Sequence, residues 1–120
     1  MTTARQFVFK VMPRAAWEDA YRSGVFIGSA DDVRDGYIHL STREQIAGTL
    51  AKHFRDKHDL VLIQFETHIL GEALRWEVSR GGELFPHLYA ALPTANPDTV
   101  FALALGTDGV PVLPKEFAAC

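Results

Sequence analysis

The sequence predicts an α+β domain, because its helical and strand-like periodicities are segregated along the chain. Two helix-spaced apolar patterns fall in the first half, while five or six strand-like runs, most of them late, make up the rest. The 120 residues suffice for one core. Size scaling gives roughly 6,400 Å² of folded surface against about 19,000 Å² unfolded, so no metal or disulfide staple is needed. No repeat, low-complexity tract or linker divides the chain, and residues 1–120 read as a single domain.

Residues 6–12 form an opening strand rich in β-formers. Pro13 suits the first turn of a helix over 15–22, with Trp17, Ala20 and Tyr21 on one stripe, and Gly24 stops it. Residues 29–36 read as a polar turn region, followed by a short strand over 37–40. Ser41, Thr42, Arg43 and Glu44 read as a capping box, and the helix they open carries Ile46, Ala47, Leu50, Ala51 and Phe54 at helical spacing. A charged turn over 56–59 precedes residues 60–65, a nearly all-apolar strand and hence a central one covered on both faces. Residues 74–79 alternate until Gly81 and Gly82 break the run. Residues 85–92 and 99–105 are further strands, the second followed by a turn over 106–109. Pro111 and Pro114 make the C-terminal tail an edge or coil.

Hydrophobic residues at 48% and charged residues at 22% match an ordinary globule. No stretch approaches ~18 uncharged apolar residues, which excludes a helical membrane span. Aromatic residues spread along the whole chain exclude disorder. The single cysteine, Cys120, supports neither a disulfide frame nor a Cys-based zinc site. A net charge of -3 argues against bulk nucleic-acid binding. Arg5 and Lys10 interrupt any apolar N-terminal run, so no signal peptide opens the chain and a cytoplasmic location is expected.

Three segments carry candidate chemistry. In the strand over 37–40, alternation sends Ile38 and Leu40 to one face and Tyr37, His39 and Ser41 to the other, beside the start of a helix. A histidine that merely closes a turn explains this equally well. In the strand over 74–79, Trp76 and Val78 should face the core and leave Arg75, Glu77 and Ser79 opposite, an arrangement that a solvated face also explains. In Phe85-Pro86-His87-Leu88-Tyr89, alternation gathers two aromatic rings around an imidazole, a trio able to stack on a planar ligand. The plain alternative is a half-buried sheet edge blocked by Pro86. His53, His58 and His68 read as surface or turn residues. Zinc on His39, His87 and Glu77 is chemically permissible, but no paired ligand spacing supports it, and no metal is expected. Phosphate-loop, dinucleotide-fingerprint and nucleophile-elbow motifs are missing from the sequence.

These residues resemble a known bacterial family, domain of unknown function 952. The resemblance rests on the opening strand, Trp17, Gly24, the run from Asp35 to Thr42, Gln45, Arg75-Trp76-Glu77, and the run from Gly81 to Tyr89. It covers nearly the whole chain. Where the family usually has glycine after the tyrosine, this chain has Ala90. The resemblance implies an ADP-ribosyltransferase-like fold: two roughly perpendicular mixed sheets, a central cleft and two main helices. His39-Leu40-Ser41 before a helix and an apolar strand is similar in order to the RNA 2′-phosphotransferase branch, with Tyr37 in place of that branch's first histidine. A His-Tyr-Glu trio of other branches would correspond to His39, one of Tyr37 or Tyr89, and Glu77.

Two functions follow as expectations. The first is an enzyme that binds NAD or an ADP-ribose-like nucleotide and acts as a transferase or glycohydrolase. In that reading His39, Glu77 and His87 are catalytic, and Tyr37, His39, Ser41, Thr42, Phe85 and Tyr89 hold the nucleotide. Glu77 would stabilise positive charge on the ribose, and Arg34 or Arg43 would offset the pyrophosphate. The second is a binding module that kept the cleft without the catalysis. A third possibility is acid–base hydrolysis of a phosphodiester or ester by His39 and His87.

Overall fold

A computed structural model describes residues 6–119 except residue 96, so Cys120 lies outside the described residues. The backbone is mixed α and β. Strand β1 (Phe7–Pro13) pairs antiparallel with β4 (Leu60–Glu66), from Phe7 opposite Glu66 to Pro13 opposite Leu60. Strand β8 (Thr99–Leu105) flanks β4 on its other side, and β9 (Pro111–Val112) closes that sheet in the order β1-β4-β8-β9. A second sheet runs β3 (Ile38–His39), β6 (Leu84–Leu88), β5 (Leu74–Val78), with β6 in the middle. A two-stranded ribbon joins β2 (Val25–Phe26) to β7 (Leu92–Pro93). Every pairing among the described strands is antiparallel, where mixed sheets were expected.

Strand β4 shows why the fold holds together. Its two-residue period divides the interior, because Val61, Ile63 and Phe65 enter one apolar cluster while Leu60 and Leu62 enter another. The neighbouring strand repeats the division, with Val8 and Met12 in the first cluster and Phe9 and Val11 in the second. Helix α1 (Arg14–Ser23) docks Trp17 and Ala20 on the first cluster. Gly24 ends it in a left-handed conformation at φ 97°, which a side chain rarely adopts. Helix α3 (Ile46–His53) seals the second cluster with Ile46 and Leu50. A bridge between Phe9 and Ser41 ties the first sheet to the segment leaving β3.

Several local expectations are corrected. The turn over 29–36 is helix α2 (Ala30–Asp35), because Ser29 accepts from the Asp32 amide while the Asp32 carboxylate accepts from the Ser29 amide. The box expected at Ser41 sits one residue later: Thr42 Oγ1 accepts from the Gln45 amide and Gln45 Oε1 from the Thr42 amide. Val78 is 71% exposed rather than in the core, since β5 is the outer strand of its sheet. Pro86 lies in the middle strand instead of blocking an edge, and its carbonyl accepts from the Leu40 amide. Short helices α4 (Thr67–Leu70) and α5 (Lys115–Ala119) add to the two that apolar spacing indicated. No described helix is long and apolar enough to cross a membrane.

Candidate functional site

The site starts from one cross-strand pair. Strand β3 meets β6 so that Ile38 faces Leu88 and His39 faces His87. Ile38, Leu40 and Leu88 turn into the first apolar cluster, which by strand alternation sends both histidines to the opposite face. The two imidazoles lie 5.7 Å apart, centre to centre. Tyr37 stacks on His87 at 4.1 Å and leans on His39 at 4.7 Å, fixing the edge of the pair.

Each histidine is held through Nδ1 by a carboxylate. Asp32 Oδ1 lies 2.6 Å from His39 Nδ1 and also accepts from the His39 amide. Glu77 Oε1 lies 2.7 Å from His87 Nδ1 and accepts from the Tyr89 hydroxyl at 2.8 Å. An ionised carboxylate only accepts, so both rings carry a proton on Nδ1, and the two Nε2 atoms differ in what they meet. His39 Nε2 sits 2.9 Å from Asp35 Oδ2, so this ring meets a carboxylate at each nitrogen. His87 is 3% exposed, and its Nε2 has no hydrogen-bond partner among the described residues.

The carboxylates are tuned by their surroundings. Burial pushes the Asp32 carboxyl up, but the His39 ring, the Lys10 ammonium and two backbone amides outweigh it and hold the group well below the usual carboxylate range. Lys10 points from β1 into the same face as Val8 and Met12, and donates to Asp32 Oδ2 and to the His39 carbonyl, both at 2.9 Å. Burial works against its ammonium, Asp32 opposes that, and the net lies below the usual lysine value. The Glu77 carboxyl is lowered by the His87 hydrogen bond and then by that of Tyr89. In the same contact Glu77 raises the Tyr89 phenol.

Beside the pair lies a cavity of about 500 Å³, roomy enough for a drug-sized molecule. Its wall joins β1, α2, β3, α3 and β6, and both histidines line it. Four Lys or Arg side chains and three Asp side chains contribute charge. The acids are answered: Asp32 by Lys10 and His39, Asp31 and Asp35 by Arg34.

Of the nucleotide-holding residues expected from the sequence, His39, Ser41 and Phe85 line this cavity. Tyr37 and Tyr89 line a separate shallow depression with Ile27 and Val33. Thr42 is spent on its reciprocal bonds with Gln45. Glu77 shares a strand face with His87 but does not line the cavity. Arg43 lies over the Phe117 ring at 4.3 Å and bonds its carbonyl, away from the wall, whereas Arg34 does line it. Sequence reasoning missed Asp32, Lys10, Thr49, Lys52, His53 and Arg80, all of them wall residues. Ser29-x-x-Asp32 is a capping signature that would have exposed α2, and Thr49, Lys52 and His53 share one helical stripe.

Residues 11–100 match the family model described as "Protein of unknown function (DUF952)". No curated protein matches the chain. Among solved structures, the chain is similar to the X-ray structure of protein CC0527 from Caulobacter crescentus, at 46% identity and a TM-score of 0.89, covering 93% of this chain and 98% of that one. It is also similar to the solution NMR structure of CC0527, at 45% identity and a TM-score of 0.83, over 96% and 99% of the two chains.

Proposed function

The chain belongs to the DUF952 family of proteins of unknown function, and from that premise we propose that its cavity holds a small-molecule ester that His39 and His87 hydrolyse as an acid–base pair. The observation that carries this reading is the twinned arrangement: two imidazoles 5.7 Å apart on one cavity wall, each with a carboxylate on Nδ1. His87, with no partner on Nε2, takes a proton from the attacking water. His39, whose Nε2 lies beside Asp35, gives one to the leaving oxygen. Water thus supplies one bond to the acyl or phosphoryl centre, the ester bond breaks, and both rings return by exchanging protons with solvent. Asp32 and Glu77 are positioning residues: Glu77 fixes the His87 tautomer, and Asp32 orients the His39 ring and supports its protonated form.

Cleavage at the nicotinamide ribose of NAD asks a carboxylate to face the sugar, and Glu77 is instead engaged with His87 and Tyr89 outside the cavity wall. An ADP-ribose-like compound remains a candidate occupant, because a phosphoester linkage suits the histidine pair. An ADP-ribosyltransferase-like fold is part of the same proposal, supported by the order β3, α3, apolar β4.

The test is turnover of bis(p-nitrophenyl) phosphate and p-nitrophenyl acetate by the wild type, His39→Asn and His87→Asn, with thermal melts confirming that each variant folds. General acid–base catalysis predicts a loss of about 10²- to 10⁴-fold for either variant. Wild-type inertness toward both esters, or variants as active as the wild type, contradicts the reading. Calorimetric titration with NAD and ADP-ribose checks the nucleotide branch, which absent heat would remove.

A further inference from the structure

One end of the cavity carries Lys52 and Arg80, which among the described residues form no ion pair. Lys52 and His53 stand on the last turn of α3, and Arg80 reaches in from the 3-10 turn Arg80–Gly82. Among the described residues neither Lys52 nor Arg80 has an acidic partner, although the chain as a whole is acidic. A helix C-terminus favours cations, which accounts for Lys52 and His53 on its own. It does not account for Arg80, which belongs to another element and is placed with care. Its guanidinium lies 4.9 Å over the Phe85 ring, and Nη2 approaches Thr49 Oγ1 at 3.4 Å. Room for it is made by Gly48, where a Cβ would stand 3.3 Å from Arg80 Nη2. Glycine inside a short helix costs about 1 kcal/mol relative to alanine, so the position gives up helix stability to admit that cation.

This cationic end is wired to the histidines. Thr49 Oγ1 is 2.8 Å from Ser41 Oγ, and Ser41 is two residues beyond His39. Phe85, under the guanidinium, is two residues before His87 on the same strand face. The His53 imidazole is depressed first by burial and then by Arg80 and Lys52, with a smaller push from His39, while Asp31 opposes them.

We propose that Thr49, Lys52, His53 and Arg80 form a phosphate subsite, which makes the substrate of this cavity a phosphoester rather than a carboxylic ester. The proposal rests on the acid–base reading for the reaction but not for the binding. A guanidinium and an ammonium give charge-assisted hydrogen bonds to phosphate oxygens, Thr49 Oγ1 accepts from Arg80 and so helps to aim the guanidinium, and an anion there offsets the like charge around His53.

Titration calorimetry with phenyl phosphate, together with an NMR titration of the His53 ring, tests the subsite on the full chain. The expected results are binding by the wild type, an upward move of the His53 titration on ligand addition, and affinity about tenfold weaker in Arg80→Gln and in Lys52→Gln. Lys57→Gln, on the turn beyond α3 and off the cavity wall, should bind as the wild type does. Binding that is absent at millimolar ligand, or equally weakened by Lys57→Gln, overturns the subsite. Binding retained in His39→Asn and His87→Asn supports it whatever becomes of turnover, so failure of the catalytic reading and failure of the subsite give different results.

Discussion

At the scale of single residues, the account turns on what stands behind each imidazole. Asp32 is 2% exposed and serves the His39 ring, the His39 amide, the Ser29 amide and the Lys10 ammonium. Asp32→Asn leaves Lys10 buried without its counter-charge and should cost about 3–5 kcal/mol in urea unfolding. Adding Lys10→Met to that variant should recover most of the loss, because the uncompensated charge is then gone. The same carboxylate contributes to the acid limb of stability. Its native pKa lies below the ordinary 3.8, so at pH values between the two the unfolded chain binds a proton that the folded chain does not. Stability is therefore fully present above about 3.8 and is lost as pH falls toward the depressed native value, a slope that Asp32→Asn should flatten. In the proposed reaction Glu77 acts through His87. Glu77→Gln should lower kcat on the phosphodiester roughly 10- to 100-fold with a smaller effect on KM. Nitrogen NMR of His87 should then show a mixture of Nδ1–H and Nε2–H tautomers. The histidines themselves were legible in the sequence, because a two-residue period places His39 opposite Ile38 and Leu40 and groups His87 with Phe85. Their carboxylate partners were not. Asp32 reaches His39 through the bend of a six-residue helix, and β5 meets β6 in a register that no local pattern encodes.

Among the elements, α3 bears the most on function. It seals the second apolar cluster through Ile46 and Leu50, and Ile46, Thr49, Lys52 and His53 line the cavity. Gly48 sits between those roles. Gly48→Ala should raise stability by up to about 1 kcal/mol, since the clash is with the movable end of Arg80, while weakening phenyl phosphate binding. A melt and a titration on one sample measure both effects. In β4, Leu62 is fully buried between two neighbouring strands, so Leu62→Ala should cost about 2–5 kcal/mol. That strand was the plainest element in the sequence, since an unbroken apolar run demands cover on both faces. Helix α2 escaped because six residues hold too few apolar positions for periodicity to register; only its capping pair marks it. The capping box before α3 was misplaced by one residue because Ser41 and Thr42 are chemically equivalent caps, and the bridge to Phe9 draws Ser41 into the sheet.

For the whole molecule, the cavity exists because β1, through its bridge to Ser41, brings Lys10 beneath α2 and the histidine sheet beside α3. The α+β class was readable because segregation of periodicities is a property of the chain, whereas the cavity was not, because its wall draws on residues from positions 9 to 87. A ligand that binds only the folded state should stabilise it by about 2.7 kcal/mol at a hundredfold excess over Kd, and phenyl phosphate should raise Tm accordingly. The most direct test of the central claim is a crystal structure of the full chain with phenylphosphonate, a non-hydrolysable analogue. The account predicts phosphonate oxygens on Arg80 and Lys52, with the carbon–phosphorus linkage turned toward Nε2 of His39 and His87. An empty cavity at saturating ligand, or a phosphonate seated away from both histidines, would contradict it.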